Sequence, residues 1–253
     1  MHNELFHIGP LTIYGYGLMI AIGIIVAFKI VEYRAVRRQM EVNPVLSMGI
    51  WSVAGGFVGA KLLYWITQWR SIWENPKLLL NVSEGFVVYG GIVTGIAVGY
   101  VYCKRKKLNF LQHLDLCVPA VAIAQGFGRI GCLLAGCCYG VETNSWLGIT
   151  FHDSQLAPNG VSLVPTQIIE SLYSFALFFV LIWIARRNVP QGLIAMIYLL
   201  GYSVGRFIIE FYRGDIIRGH IGMFSTSQLI ALAIVVATLA ALALTTRRQA
   251  ARP

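Results

Sequence analysis

Charge is scarce in this sequence: 12% of its 253 residues are charged, against 57% that are hydrophobic. That leaves too little polar surface to wrap a soluble core, so the chain reads as membrane-embedded. No segment combines low hydrophobicity with high charge, which excludes disorder and low complexity. Internal repeats and a soluble domain are also absent. The formal charge of +9 does not indicate a nucleic-acid partner, because the basic residues sit in short clusters between apolar runs, as loop-by-loop membrane orientation produces. The first ten residues, MHNELFHIGP, contain no Lys or Arg, and no small-residue cleavage site follows the long apolar run behind them. No cleaved signal is therefore expected.

What the sequence has instead is spanning-length apolar runs, near 11–33, 45–69, 84–103, 113–135, 165–185, 191–212 and 226–246. Each approaches the roughly 20 residues that cross a bilayer. The expected fold is all-α, a polytopic integral membrane protein of about seven transmembrane helices forming one transmembrane domain over 1–253. The Gly-interrupted third and fourth runs are candidates for re-entrant stretches. Lys29, Arg34, Arg37, Arg38, Lys104 to Lys107, Arg186, Arg187, Arg247, Arg248 and Arg252 fall after alternate runs and make up 13 of the 20 basic residues. The opposite loops hold Arg70, Lys77, Arg213 and Arg218, and 135–164 holds none. The amino terminus is thus expected outside and the carboxyl terminus inside.

Three basic residues, Lys61, Arg129 and Arg206, fall inside predicted spans, where an ionisable group is costly without a partner or a watery cavity. With 1.5 Å of rise per residue, all three lie in the outer half of the bilayer. Tyr16, Tyr89, Glu170 and Gln228 start other spans at a similar depth. Tyr202, Arg206, Glu210 and Arg213 follow at spacings of four, four and three, one face of a helix. Glu210 can pair with either arginine. The bland reading is an ion-pair lock that fixes helix packing. With Arg129 arriving at similar depth, forked arginine donors at the outer leaflet suit a phospholipid headgroup or another anion.

The segment QGFGRIGCLLAGCCYG holds Gly126, Gly128, Gly131, Gly136 and Gly140. Close helix packing accounts for most such glycines, but this density predicts a backbone that bends around Arg129. Cys132, Cys137 and Cys138 cluster on the outer side. They read as small buried residues, as partners in a disulfide, or as redox-active thiols. Without a nearby histidine they make a weak zinc pattern. Trp65, Trp69, Trp73 and Trp146 fall where interfacial aromatic belts lie.

At these residues the chain resembles the prolipoprotein diacylglyceryl transferase family of bacterial membrane enzymes. The likeness rests on GPLTIYGYGLM with Tyr16, GAKLLY at 59–64, YGGIVTG at 89–95, Asp115 followed by Pro119, and Gly128-Arg129-Ile130-Gly131. It continues in PTQIIES at 165–171, RFIIEFYRGD at 206–215 and Gln228. The resemblance implies transfer of the diacylglyceryl group of phosphatidylglycerol to the lipobox cysteine of a preprolipoprotein signal peptide, at the outer leaflet of the bacterial inner membrane. It implies a catalytic set of Tyr89, Arg129 and Arg206. The substrate-binding set would be Tyr16, Arg129, Tyr202, Arg206, Glu210, Arg213 and Gly140. No metal or cofactor is expected, since arginine can stabilise the departing phosphate.

Two departures stand out. Tyr89 occupies the place of a histidine, and with an ordinary pKa of about 10 a tyrosine is a poor base. Cys132 replaces an asparagine, with Cys137 and Cys138 behind it. Neither His113 nor His152 supplies the missing base. These departures keep open a divergent relative that binds phospholipid but acts on another thiol or lipid. Intramembrane charge alone would also suit a transporter, although no inverted repeat supports one.

Overall fold

The computed structural model describes residues 4–8, 11–79, 85–215 and 220–250. Arg218, Arg252, the Gly9-Pro10 pair and residue 84 at the edge of the third run lie outside the described residues. An antiparallel hairpin of β1 (Glu4–Ile8) and β2 (Leu11–Tyr14) precedes α1 (Gly15–Arg37). The first run was expected to be helical from residue 11. The sequence Leu-Thr-Ile-Tyr is instead a strand, as suits β-branched and aromatic residues.

The helices α2 (Val42–Thr67), α4 (Val88–Arg105), α5 (Phe110–Ala135), α6 (Thr166–Ala185), α7 (Leu193–Glu210) and α8 (Thr226–Ala250) follow the remaining runs. A short helix, α3 (Trp69–Glu74), carries the strongly exposed Trp69 and Trp73. Among the described residues, six helices, α1, α2, α5, α6, α7 and α8, are long and apolar enough to cross a membrane. The seventh, α4, has 18 residues and includes Lys104 and Arg105 in its last turn, which lower its apolar character.

The chain divides into two compact units, Val31–Cys117 and the remainder, with the divisions falling inside α1 and α5. In the unit 31–117, α2 and α4 approach at glycines. A Cβ on Gly59 would overlap the Thr94 side chain, and one on Gly90 would meet the Gly59 carbonyl. Thr94 Oγ1 hydrogen-bonds to the carbonyl oxygens of Gly55 at 3.0 Å and Gly90 at 2.7 Å. Lys61, a buried charge, has its ammonium 5.2 Å from the ring centres of Tyr64 and Phe86.

In the other unit, Gly23 of α1 packs on Ala124 and Phe127 of α5, and Gly131 packs on Tyr16 and Met19. Contrary to the expected bend, α5 runs unbroken from 110 to 135 through Pro119 and its glycines. Neighbouring side chains fill the space beside two of them, Phe175 lying where a Cβ on Gly126 would fall and Tyr16 and Met19 beside Gly131, whereas Gly128 faces open space. The charge-poor segment after α5 folds into a small cap. Its paired strands β3 (Ile149–Thr150) and β4 (Ser162–Leu163) surround a core of Phe151, Ala157 and Leu163.

Candidate active site

Glu170 is the centre of the charge cluster. It is the one charged residue in 165–185, and its carboxylate is 7% exposed. Arg129 of α5 meets it through Nε at 2.5 Å, and Arg206 of α7 through Nη1 at 2.6 Å. Arg213 Nη1 lies 3.7 Å away, buried and without a hydrogen-bond partner. Arg206 Nη2 also reaches Glu210 at 2.5 Å, one helical turn on. Glu210 accepts a hydrogen bond from Ser225 Oγ at 2.9 Å. These links tie α5, α6, α7 and the start of α8 together.

Ser225 does more than hold Glu210. Its hydroxyl accepts from the Gln228 amide at 3.2 Å, while Gln228 Oε1 accepts from the Ser225 amide at 3.0 Å. That is a reciprocal cap on α8. Gln228, read in the sequence as one of the polar groups at the site's depth, is thus the cap of its own helix.

Arg213 departs from the expected stripe. The helix α7 stops at Glu210, and the next residues exchange backbone hydrogen bonds with the segment after α5: Val141 N to Tyr212 O at 2.9 Å and Gly214 N to Tyr139 O at 3.0 Å. Arg213 pairs there with Gly140 as a lone β-bridge. Its guanidinium is gripped in a fork by Asp215, at 2.8 and 2.7 Å, rather than by Glu210. Burial works against that charge, yet Asp215 and the adjacent Cys138 thiol keep Arg213 above its ordinary pKa. Gly140 makes this crossing possible: a Cβ there would stand 2.5 Å from the Val164 carbonyl and 2.9 Å from that of Tyr212. Its local role is to bring Arg213 beside the cysteine loop.

That loop is anchored from α6. Gln167 Nε2 donates to the Cys137 carbonyl and Thr166 Oγ1 to the Cys138 carbonyl, both at 2.8 Å. Ser171 Oγ donates to the Gly126 carbonyl at 2.9 Å. The Pro-Thr-Gln element therefore positions the cysteines, while Glu170 three residues on positions the arginines. The Sγ atoms of Cys132, Cys137 and Cys138 lie within 4.8 Å of one another. Hydrogen bonding with Cys132 and Cys137 holds the Cys138 thiol below its ordinary pKa, with Arg213 and Arg129 adding to the effect.

Tyr16 is within electrostatic reach of Arg129 and all three thiols, and Tyr202 of Arg129. Tyr202 stacks on Tyr198 with ring centres 5.8 Å apart and planes 17° apart, and Tyr198 in turn hydrogen-bonds Gln125 at 2.9 Å. Tyr89 sits in the first turn of α4, in the unit 31–117, with 44% of its surface exposed.

The cluster sets three guanidiniums against the carboxylates of Glu170, Glu210 and Asp215, so its formal charges balance. Arg206 is held at both Nη atoms and Arg213 in the Asp215 fork. Arg129 spends only Nε, and no described residue takes its two Nη groups. At 21% its side chain is also more exposed than Arg206 at 11% or Arg213 at 3%. Together they make a wall of guanidinium donors held in place by carboxylates, with one unspent fork suited to a phosphate. Sequence reasoning passed over Glu170 as the hub, although a solitary carboxylate in an apolar span near intramembrane arginines is the signal for it.

The profile of the family described as prolipoprotein diacylglyceryl transferase matches residues 3–244. The chain belongs to this family. Its members are integral membrane proteins, and this one is multi-pass. The chain is 45% identical over 236 residues to the phosphatidylglycerol-prolipoprotein diacylglyceryl transferase of Clostridium tetani, covering 93% of this chain and 94% of that one. It is 46% identical over 238 residues to transferase 2 of Clostridium perfringens, covering 93% and 92%. With the Finegoldia magna transferase it shares 32% identity over 239 residues, covering 94% and 93%. The matched stretch spans nearly the whole chain, and both the arginine cluster and the cysteine loop fall within it.

Proposed function

We propose that this protein transfers the diacylglyceryl group of phosphatidylglycerol to the lipobox cysteine of a preprolipoprotein, in the bacterial inner membrane. The names of its relatives and its family membership support the reaction. The basic-residue distribution supports a site facing the outer leaflet, with the amino terminus outside. The substrate thiolate attacks the glyceryl carbon that bears the phosphate. A C–S bond forms, the C–O bond breaks, and its electron pair leaves on glycerol phosphate, giving a thioether.

The observation that carries this reading is the unspent fork of Arg129. Its Nη groups are free to take the headgroup phosphate and to stabilise the charge that grows on it as the C–O bond breaks. Arg206, fixed by Glu170 and Glu210, and Arg213, fixed by Asp215, complete the positive wall without having to reorganise. Tyr16 and Tyr202 flank Arg129 and suit the glycerol end of the lipid.

Arg129→Ala tests the assignment. Transfer to a lipobox peptide should fall by a factor on the order of 10² to 10³, the usual cost of removing one preorganised donor to a developing oxyanion. The thermal midpoint should also fall, because Glu170 loses one of its two closest partners while keeping Arg206, so transfer is compared at a temperature at which the variant is still folded. Unimpaired transfer by this variant would remove Arg129 from the mechanism. A protein that binds phosphatidylglycerol but transfers nothing would favour a relative acting on a different thiol or lipid, a reading motivated by Tyr89 and the three cysteines.

A further inference from the structure

The transfer reaction needs a thiolate, and the tyrosine at position 89 is a weak means of making one. The cysteine loop offers another. Its three Sγ atoms all lie within 4.8 Å of one another, and among the described residues no fourth His, Cys, Asp or Glu joins them. Zinc–sulfur bonds of about 2.3 Å place tetrahedral thiolates roughly 3.8 Å apart, so a contraction of about 1 Å or less closes the set on an ion. The loop backbone is already fixed by Thr166 and Gln167 and by the Cys137 amide, which hydrogen-bonds the Cys132 carbonyl at 3.1 Å. Structural zinc sites close with four protein ligands, whereas sites that do chemistry keep three and leave one position open.

We propose that Cys132, Cys137 and Cys138 bind a zinc ion whose open fourth position takes the substrate cysteine as its thiolate. The role of that fourth position rests on the transferase reading; the metal site does not. Coordination releases the thiol proton to water, since a zinc-bound thiol is deprotonated outright. The bound sulfur then forms the C–S bond as the C–O bond breaks and glycerol phosphate departs with the electron pair. The neutral thioether is a weaker ligand and leaves. No oxidation state changes.

The placement supports this order of events. Cys132 follows Arg129 by three residues on α5, roughly one turn, so thiolate and phosphate would be held side by side. Arg129 and Arg213, both within electrostatic reach of Cys138, offset the negative charge of the three thiolates.

Metal content is the first test. Protein purified without chelator should carry about one zinc per chain, lost in Cys132→Ser and Cys138→Ser and kept when Cys103 and Cys117 are both changed to serine. Thermal midpoints separate loss of metal from loss of fold. Cobalt loaded in place of zinc should give thiolate-to-metal absorption that shifts when a lipobox peptide is added, and not with a peptide whose cysteine is alanine. Stripping the metal should lower transfer by about tenfold or more, and zinc should restore it. A metal-free preparation with a disulfide among these cysteines would overturn the site. Full transfer by stripped protein would overturn its role while leaving the transferase reading standing. Absence of transfer with zinc bound would instead overturn the transferase reading.

Discussion

Replacing Glu170 by glutamine removes one charge and almost no volume from the middle of the arginine cluster. The carboxylate meets Arg129 at 2.5 Å and Arg206 at 2.6 Å and is 7% exposed. Neutralising it leaves three guanidiniums facing Glu210 and Asp215, one positive charge uncompensated. Breaking a buried ion pair from one side costs about 3–5 kcal/mol. Taking about 3, because the glutamine oxygen still accepts one hydrogen bond, and roughly 2–4 °C per kcal/mol for a chain of this size, the thermal midpoint falls by roughly 6–12 °C. If the same energy is lost from positioning Arg129, transfer falls by about 10². Phosphatidylglycerol should restore part of the midpoint, because its phosphate supplies the missing negative charge. The assay follows tryptophan fluorescence on heating in detergent, with and without lipid, beside peptide mass for transfer. Glu170→Asp, which keeps the charge on a shorter stem, should lose less of both. An unchanged midpoint together with transfer within about twofold of wild type would refute Glu170 as the hub.

Gly140→Ala forces a methyl against the Val164 and Tyr212 carbonyls. It should cost about 1–3 kcal/mol of stability and reduce transfer by displacing Arg213, both measurable in the same two assays. Tyr89→Phe removes only a hydroxyl and should leave the pH profile of transfer unchanged, because a tyrosine with an ordinary pKa of about 10 is a poor base. A profile that lost its rise with increasing pH would make Tyr89 the base.

The sequence carried the helical plan well, because an apolar run of about 20 residues has few alternatives to spanning a bilayer. The breaks in that plan are local. Residues 11–14 pair as a strand with 4–8, a partnership no helical periodicity announces. The glycines of α5 read as a bend, but Gly126 and Gly131 are spaces occupied by Phe175 and Tyr16, and whether a glycine serves shape or contact depends on a partner distant in the chain. Arg129, Arg206 and Glu210 come together as their spacing implied. Arg213 keeps the site but leaves the helix, because Tyr212 and Gly214 exchange backbone hydrogen bonds with Val141 and Tyr139 of the segment after α5. Glu170 and Asp215 went unassigned for the same reason: the pairing of a carboxylate is settled by which helix stands opposite, and one helix's periodicity does not contain that.

The most direct test of the central claim is to incubate the purified protein with phosphatidylglycerol vesicles and a lipobox peptide and to weigh the peptide. The account predicts a mass increase of one diacylglyceryl group on the cysteine, with glycerol phosphate released in equal amount. Peptide of unchanged mass, from protein that still binds phosphatidylglycerol, would contradict it.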